Sequence, residues 1–241
     1  KKNVKYPMVD DSLLPTSAVL NAELVMSVPP KVTADAGLDV LTHAIEAFVS
    51  TDRTDFTDAM AEKAIKLIYR YLLTVYQEPD NYEARQRVHN ASCMAGIAFS
   101  NAGLGLNHAM AHTLGAKFHI AHGRANAILL PYVMSFNAGC ATQLTETAQR
   151  YAKIAYLCDI STASVRQSAL NVIRTIRSWT KKMDIPPTIK AAGVSTEDFQ
   201  AELPEMVEDA LADACLTSAP RRCTKEDIRQ VFENAYIGKL P

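Results

Sequence analysis

Between His108 and Gly123 the sequence reads HAMAHTLGAKFHIAHG, which gathers His108, His112, His119 and His122, four of the chain's six histidines, into one short stretch. His108 and His112 are four apart, a spacing that on a helix projects both side chains from one face, a turn apart. Asp39 and His43, in ADAGLDVLTHAIEAFVS, repeat that spacing. Either pair could hold one ion from adjacent turns. A lone histidine on an apolar helix is ordinarily a satisfied core residue, but two such pairs and a third cluster, His119 with His122, point to a metal centre. Asp39 strengthens the case, because Leu38, Val40 and Leu41 bracket it and a buried carboxylate needs a partner. Imidazoles with a single carboxylate and no thiolate suit iron(II) or zinc(II), not calcium or magnesium. Such a centre, with an open position, is a Lewis acid that lowers the pKa of a bound water from 15.7 to roughly 7. Hydrolysis and alcohol oxidation are both open on these grounds.

The elements that must position these groups read as helical from about Ala34 onward. In FTDAMAEKAIKLIYRYLLTVY, Met60, Ala64, Leu67, Ile68, Tyr71, Leu72 and Val75 recur at three- and four-residue steps, with Glu62, Lys63, Lys66 and Arg70 on the other face. Further helices are expected over approximately 81–100, 106–117, 124–137, 143–158, 163–182, 196–213 and 224–236, about eight in all. Ser195, in STED, is the expected cap of one of them. Pro131 falls inside a helical pattern and is expected to kink it. Gly123 is expected to let the backbone bend sharply behind His122. Only Ser17 to Leu20, SAVL, reads as a short strand. The fold class is therefore all-α.

The composition excludes several classes of partner. Lys and Arg total 25 against 26 Asp and Glu, interspersed along the chain, so nothing steers a nucleic acid. No apolar run approaches the roughly 18 residues of a membrane span, and KKNVKYPMVDD lacks a signal peptide's apolar core. The expected location is the cytoplasm. The five cysteines, Cys93, Cys140, Cys158, Cys215 and Cys223, form no C-x-x-C pair and are expected to be free thiols.

DVLTHAIEAFVS and GLGLNHAMAHTLGAKFHIAHGRANAILLPYVMSFN together resemble the two signature regions of the iron-containing (group III) alcohol dehydrogenases, and the similarity runs from KYPMVDD to CTKEDIRQVFENAY. The resemblance implies the C-terminal metal-binding domain of a dehydroquinate-synthase-like fold, nearest to the family's 1-propanol and ethanol dehydrogenases. It implies metal ligation by Asp39, His43, His108 and His122, with Fe2+ as the ion and Zn2+ as the alternative. It makes His112 a catalytic proton relay near the nicotinamide, and His119 a supporting residue outside the ligand set. Phe99 and Cys215 correspond to residues lining the substrate pocket. Ala121 departs from the proline usual among relatives, which affects loop stiffness and leaves the ligands untouched.

The same resemblance implies an NAD(P)-binding α/β domain ahead of the helices. The nine glycines here include no Gly-Gly pair, and GLGLNH follows a helix instead of a strand, so it fails the context of a dinucleotide fingerprint and no cofactor-binding residue is assigned. Residues 1–30 are expected to be the tail of that domain and residues 31–241 the helical metal-binding catalytic domain. The expected function is the metal-binding half of an NAD(P)-dependent dehydrogenase of short primary alcohols and aldehydes, inactive without its other half and self-associating as a homo-oligomer. The alternative is a metal-binding helical module without catalysis, structural or partner-binding. A metallohydrolase is disfavoured, because no acid sits beside a ligand as in H-E-x-x-H.

Overall fold

Pro29 is extended and Pro30 starts the first helix, where a missing backbone donor costs nothing. A computed structural model describes residues 10–240. These form nine α-helices and no strand: α1 (Pro30–Val49), α2 (Asp55–Gln77), α3 (Tyr82–Ala102), α4 (Leu106–Phe118), α5 (His122–Ala138), α6 (Glu146–Leu157), α7 (Val165–Lys182), α8 (Thr196–Ala212) and α9 (Lys225–Ile237), with short 3-10 turns at Asp11–Leu13, Ala22–Val25 and Ala214–Ser218. No described helix is long and apolar enough to cross a membrane.

Two helices are buried on nearly every side, as expected of elements without a wide polar face. In α1, Leu38, Leu41, Ala44, Ile45 and Phe48 are fully enclosed, and α5 buries Ala125 through Ser135 without interruption. Around α1 pack α2, α3 and α5; α4 lies against α5 and α8, and α6 pairs with α7. Asp39, His43 and His122 thus sit on the most enclosed helices. Their geometry is set by packing on several faces at once.

Capping follows the sequence signals closely. Ser195 Oγ accepts from the Asp198 amide at the start of α8, and Thr54 and Thr224 each form a reciprocal capping box. All five cysteines are free, Cys140 and Cys158 buried and the others half-buried.

Several expectations need correction. Ser17–Leu20 is not a strand: all four residues are exposed, and the segment is tied down by Gln86 of α3, which donates to the Leu20 carbonyl and accepts from the Ala22 amide. A strand needs a ladder partner, and none exists among the described residues. Met60 is exposed, because the inward stripe of α2 runs through Ala61, Ala64, Ile65 and Ile68. Pro131 lies inside α5, which extends from His122 to Ala138, as the helical pattern around it implied. Gly123 lies inside α5 and makes no sharp bend; the left-handed residue of that turn is His119, with φ of 54°. Residues 1–9, the first part of the expected domain tail, lie outside the described residues.

Candidate metal centre

Three buried helices converge on one point. Helix α1 carries Asp39 and His43 a turn apart, α4 carries His108 and His112 in the same relation, and His122 is the first residue of α5. The approach of α5 to α1 requires Gly123, since a Cβ there would collide with the Asp35 carbonyl oxygen and lie 3.2 Å from Asp39 Cβ. Arg124 latches the same crossing, its Nε donating to Asp35 Oδ1 at 3.0 Å. Asp35 and Asp39 are one turn apart, so the contact that fixes α5 also fixes the distance from His122 to the carboxylate.

One donor atom each from Asp39, His43, His108 and His122 falls within 4.8 Å of all the others. Asp39 Oδ1 lies 3.7 Å from His108 Nε2 and 3.7 Å from His122 Nε2. Four ligands at the usual metal–nitrogen distance of roughly 2.1 Å stand roughly 3.4 Å apart in a tetrahedron, so the spacing fits one ion. The centre of the cluster also attracts positive charge: the Asn126 amide nitrogen reaches in, 2.6 Å from Asp39 Oδ1, 3.1 Å from His108 Nε2 and 3.3 Å from His122 Nε2. The candidate ligand atoms therefore converge where an ion would sit. Asn107 steadies that amide by donating to Asn126 Oδ1 at 2.8 Å.

A second carboxylate backs the cluster. Glu46 is two turns beyond Asp39 on α1 and is buried, with Oε2 2.5 Å from His108 Nδ1 and Oε1 accepting from the Asn107 amide at 2.7 Å. It caps the amino end of α4, where Gly105 has no side chain to do so and a Cβ would approach Glu46 Oε1 to 2.9 Å. Holding the His108 proton on Nδ1 turns Nε2 and its lone pair toward the cluster. The His43 ring stacks between Phe99 and His108, with centroids 4.4 and 4.5 Å away.

The electrostatics match such a cluster. Burial opposes charge on His108, but the Asp39 carboxylate 3.7 Å from Nε2 and the Glu46 carboxylate bonded to Nδ1 outweigh it and raise the pKa to about 9. Burial and the neighbouring His108 push His43 down to about 3. Asp39 falls to about 2, the nearby His108, His43 and His122 overcoming burial. With no ion, a charged His108 ring lies between the Glu46 carboxylate on Nδ1 and the Asp39 carboxylate 3.7 Å from Nε2.

His112 stands outside the four-donor group but beside it, its ring stacked on His122 with centroids 5.4 Å apart. Its Nδ1 is 2.8 Å from Asp213 Oδ2, and Asp213 Oδ1 accepts from the Cys215 amide at 2.8 Å. That amide and His112 hold the Asp213 pKa below its ordinary value despite burial. Phe99 thus packs against a ring of the cluster and Cys215 lies beside His112, whereas His119 is exposed at the carboxyl end of α4 and belongs to neither donor group.

Glu46, Asn126 and Asp213 were not singled out from the sequence. Glu46 had a signal, an acid two turns past Asp39 on the apolar stripe, and Asn126 follows His122 by one turn. Asp213 is 101 residues from His112, and nothing local marks it.

Residues 33–236 match the Fe-containing alcohol dehydrogenase family, C-terminal. The chain is 47% identical over 234 residues to a 1-propanol dehydrogenase of Salmonella typhimurium, covering 96% of this chain and 62% of that protein. It is 42% identical over 238 residues to an NADPH-dependent butanol dehydrogenase of Clostridium saccharobutylicum, covering 99% of this chain and 59% of that protein. The structure of an iron-containing alcohol dehydrogenase from Thermococcus thioreducens superposes with a TM-score of 0.86 at 37% identity, over 96% of this chain and 57% of that one. The chain therefore spans less than two thirds of the length of these relatives.

Proposed function

This chain belongs to the Fe-containing alcohol dehydrogenase family, and from that premise we propose that it is the metal-holding helical half of a nicotinamide-dependent oxidoreductase that interconverts short primary alcohols and aldehydes. The observation that carries the reading is the convergence of Asp39, His43, His108 and His122 on one point that already attracts the Asn126 amide. Three imidazoles and one carboxylate without a thiolate suit Fe2+, with Zn2+ the alternative. Bound there, the ion supplies Lewis acidity toward a substrate oxygen, and a nicotinamide dinucleotide supplies the hydride acceptor or donor.

The chain's own residues do the rest. Glu46 fixes the His108 tautomer and ties α1 to α4, while Asn126 orients Asp39. Phe99 and Cys215 border the substrate side, where a half-buried aromatic and a thiol favour a short apolar chain. His112 accepts the hydroxyl proton at Nε2 during oxidation and returns it during reduction, because Nδ1 is committed to Asp213. In this reading residues 31–241 are the metal-binding catalytic domain, residues 1–30 continue an α/β domain, and that domain holds the dinucleotide. The test is oxidation of NADH and NADPH by propanal in a protein that carries both domains, with metal content measured after anaerobic purification. Turnover that falls with removal of the metal and returns with Fe2+ supports the reading; metal-independent turnover contradicts it.

A further inference from the structure

His112, Asp213 and Cys215 bring a second set of donors together beside the first. They come from α4, from the residue that closes α8, and from the 3-10 turn Ala214–Ser218. One nitrogen, one carboxylate oxygen and the sulfur lie within 4.8 Å of one another. All three residues are partly buried, with 14% of the His112 side chain and 9% of that of Asp213 exposed, so solvent reaches the group while the backbone holds it in place. The Cys215 amide bond to Asp213 Oδ1 fixes the carboxylate against the turn that carries the sulfur.

We propose that His112, Asp213 and Cys215 form a second divalent-cation site, thiolate-containing and of the zinc class, next to the nitrogen-rich centre of Asp39, His43, His108 and His122. The two sites differ in donor chemistry. Sulfur, imidazole and a single carboxylate select zinc, cobalt or cadmium over magnesium and calcium, and three protein ligands leave a fourth position open. Burial and the Asp213 carboxylate keep the Cys215 thiol protonated until an ion arrives. As the sulfur–metal bond forms, the thiol proton passes to solvent, and the His112 proton moves from Nδ1 to Nε2 by exchange with water. No electrons are transferred.

The His112 and His122 rings are stacked, so two ions would sit close enough to repel one another, and the second site fills after the first. On the function proposed above, its occupancy removes His112 from proton transfer. Zinc in excess of one equivalent then inhibits.

Anaerobic titration of the 241-residue chain with Co2+ tests the site directly. Two equivalents are expected, with a sulfur-to-cobalt charge-transfer band in the near ultraviolet that grows only with the second. Cys215→Ser should stop at one equivalent and show no band, while Cys223→Ser, a control at another half-buried thiol, should keep both, with circular dichroism confirming that each variant is folded. Saturation at one equivalent without the band, or a band that survives Cys215→Ser, would overturn the proposal. A single Co2+ that carries the band would support this site and contradict the four-residue centre, so the two readings fail separately.

Discussion

Glu46 Oε2 lies 2.5 Å from His108 Nδ1, and the same carboxylate accepts the amide of Asn107, so one acid on α1 both caps α4 and selects which imidazole nitrogen faces the candidate ligands. Glu46→Gln nearly preserves shape but removes the charge that holds the proton on Nδ1. Metal affinity is expected to fall about 10–100-fold. Competition with a chromophoric chelator measures this, and an unchanged affinity would show that Glu46 serves only as a cap.

Metal affinity should depend on pH with a definite sign. His108 has a pKa of about 9 without an ion, raised by Asp39 and Glu46 against burial, and its Nε2 proton must leave before the lone pair can bind. Below that pKa each unit of acidification should weaken binding about tenfold, one pKa unit being worth about 1.36 kcal/mol. Asp39 and His43, with values of about 2 and about 3, add nothing above their own range. Zinc competition titrations at about pH 6 and about pH 8 should differ by about two decades; equal affinities would contradict protonation of His108.

Gly123→Ala places a methyl group against the Asp35 carbonyl where α5 crosses α1. The helices must part or the turn must shift, at a cost of about 1–3 kcal/mol. Because His122 is the adjacent residue, metal retention should fall together with the unfolding midpoint. Urea denaturation and metal analysis check both, and a variant as stable as the parent would mean that the crossing relaxes freely.

Much of this centre was legible in the sequence, and the reason is geometric. Asp39 with His43, and His108 with His112, are local pairs whose facing follows from helical period alone, so spacing was enough to propose them. The family signature then separated His122 from His119. What spacing could not show was the tertiary part. Asp213 meets His112 only because α8 ends against α4, and Gly123 looked like a turn residue when its role is to admit a neighbouring backbone. Ser17–Leu20 carried strand-like composition, but strand formation depends on a partner that local sequence does not contain.

His112 and Asp213 should separate chemistry from metal binding. In a protein carrying both domains, His112→Ala is expected to keep the metal of the Asp39, His43, His108 and His122 centre and lose about 10²–10⁴ in kcat, the usual scale for a positioned acid–base group. Asp213→Asn, which no longer holds the ring through Nδ1, should lose about 10–100-fold with metal retained. Steady-state kinetics and metal analysis on preparations loaded with one equivalent check both; equal metal loss in His112→Ala and His122→Ala would place His112 among the ligands of the four-residue centre.

The metal content of His122→Ala, measured after anaerobic loading with one equivalent of Fe2+ and gel filtration, bears most directly on the four-residue centre. Removing the ligand at the start of α5 leaves Asp39, His43 and His108 with an open position. Bound metal should drop steeply while circular dichroism still reports a helical protein. Stoichiometric retention of iron in a folded His122→Ala chain would contradict the assignment of Asp39, His43, His108 and His122 as the ligand set.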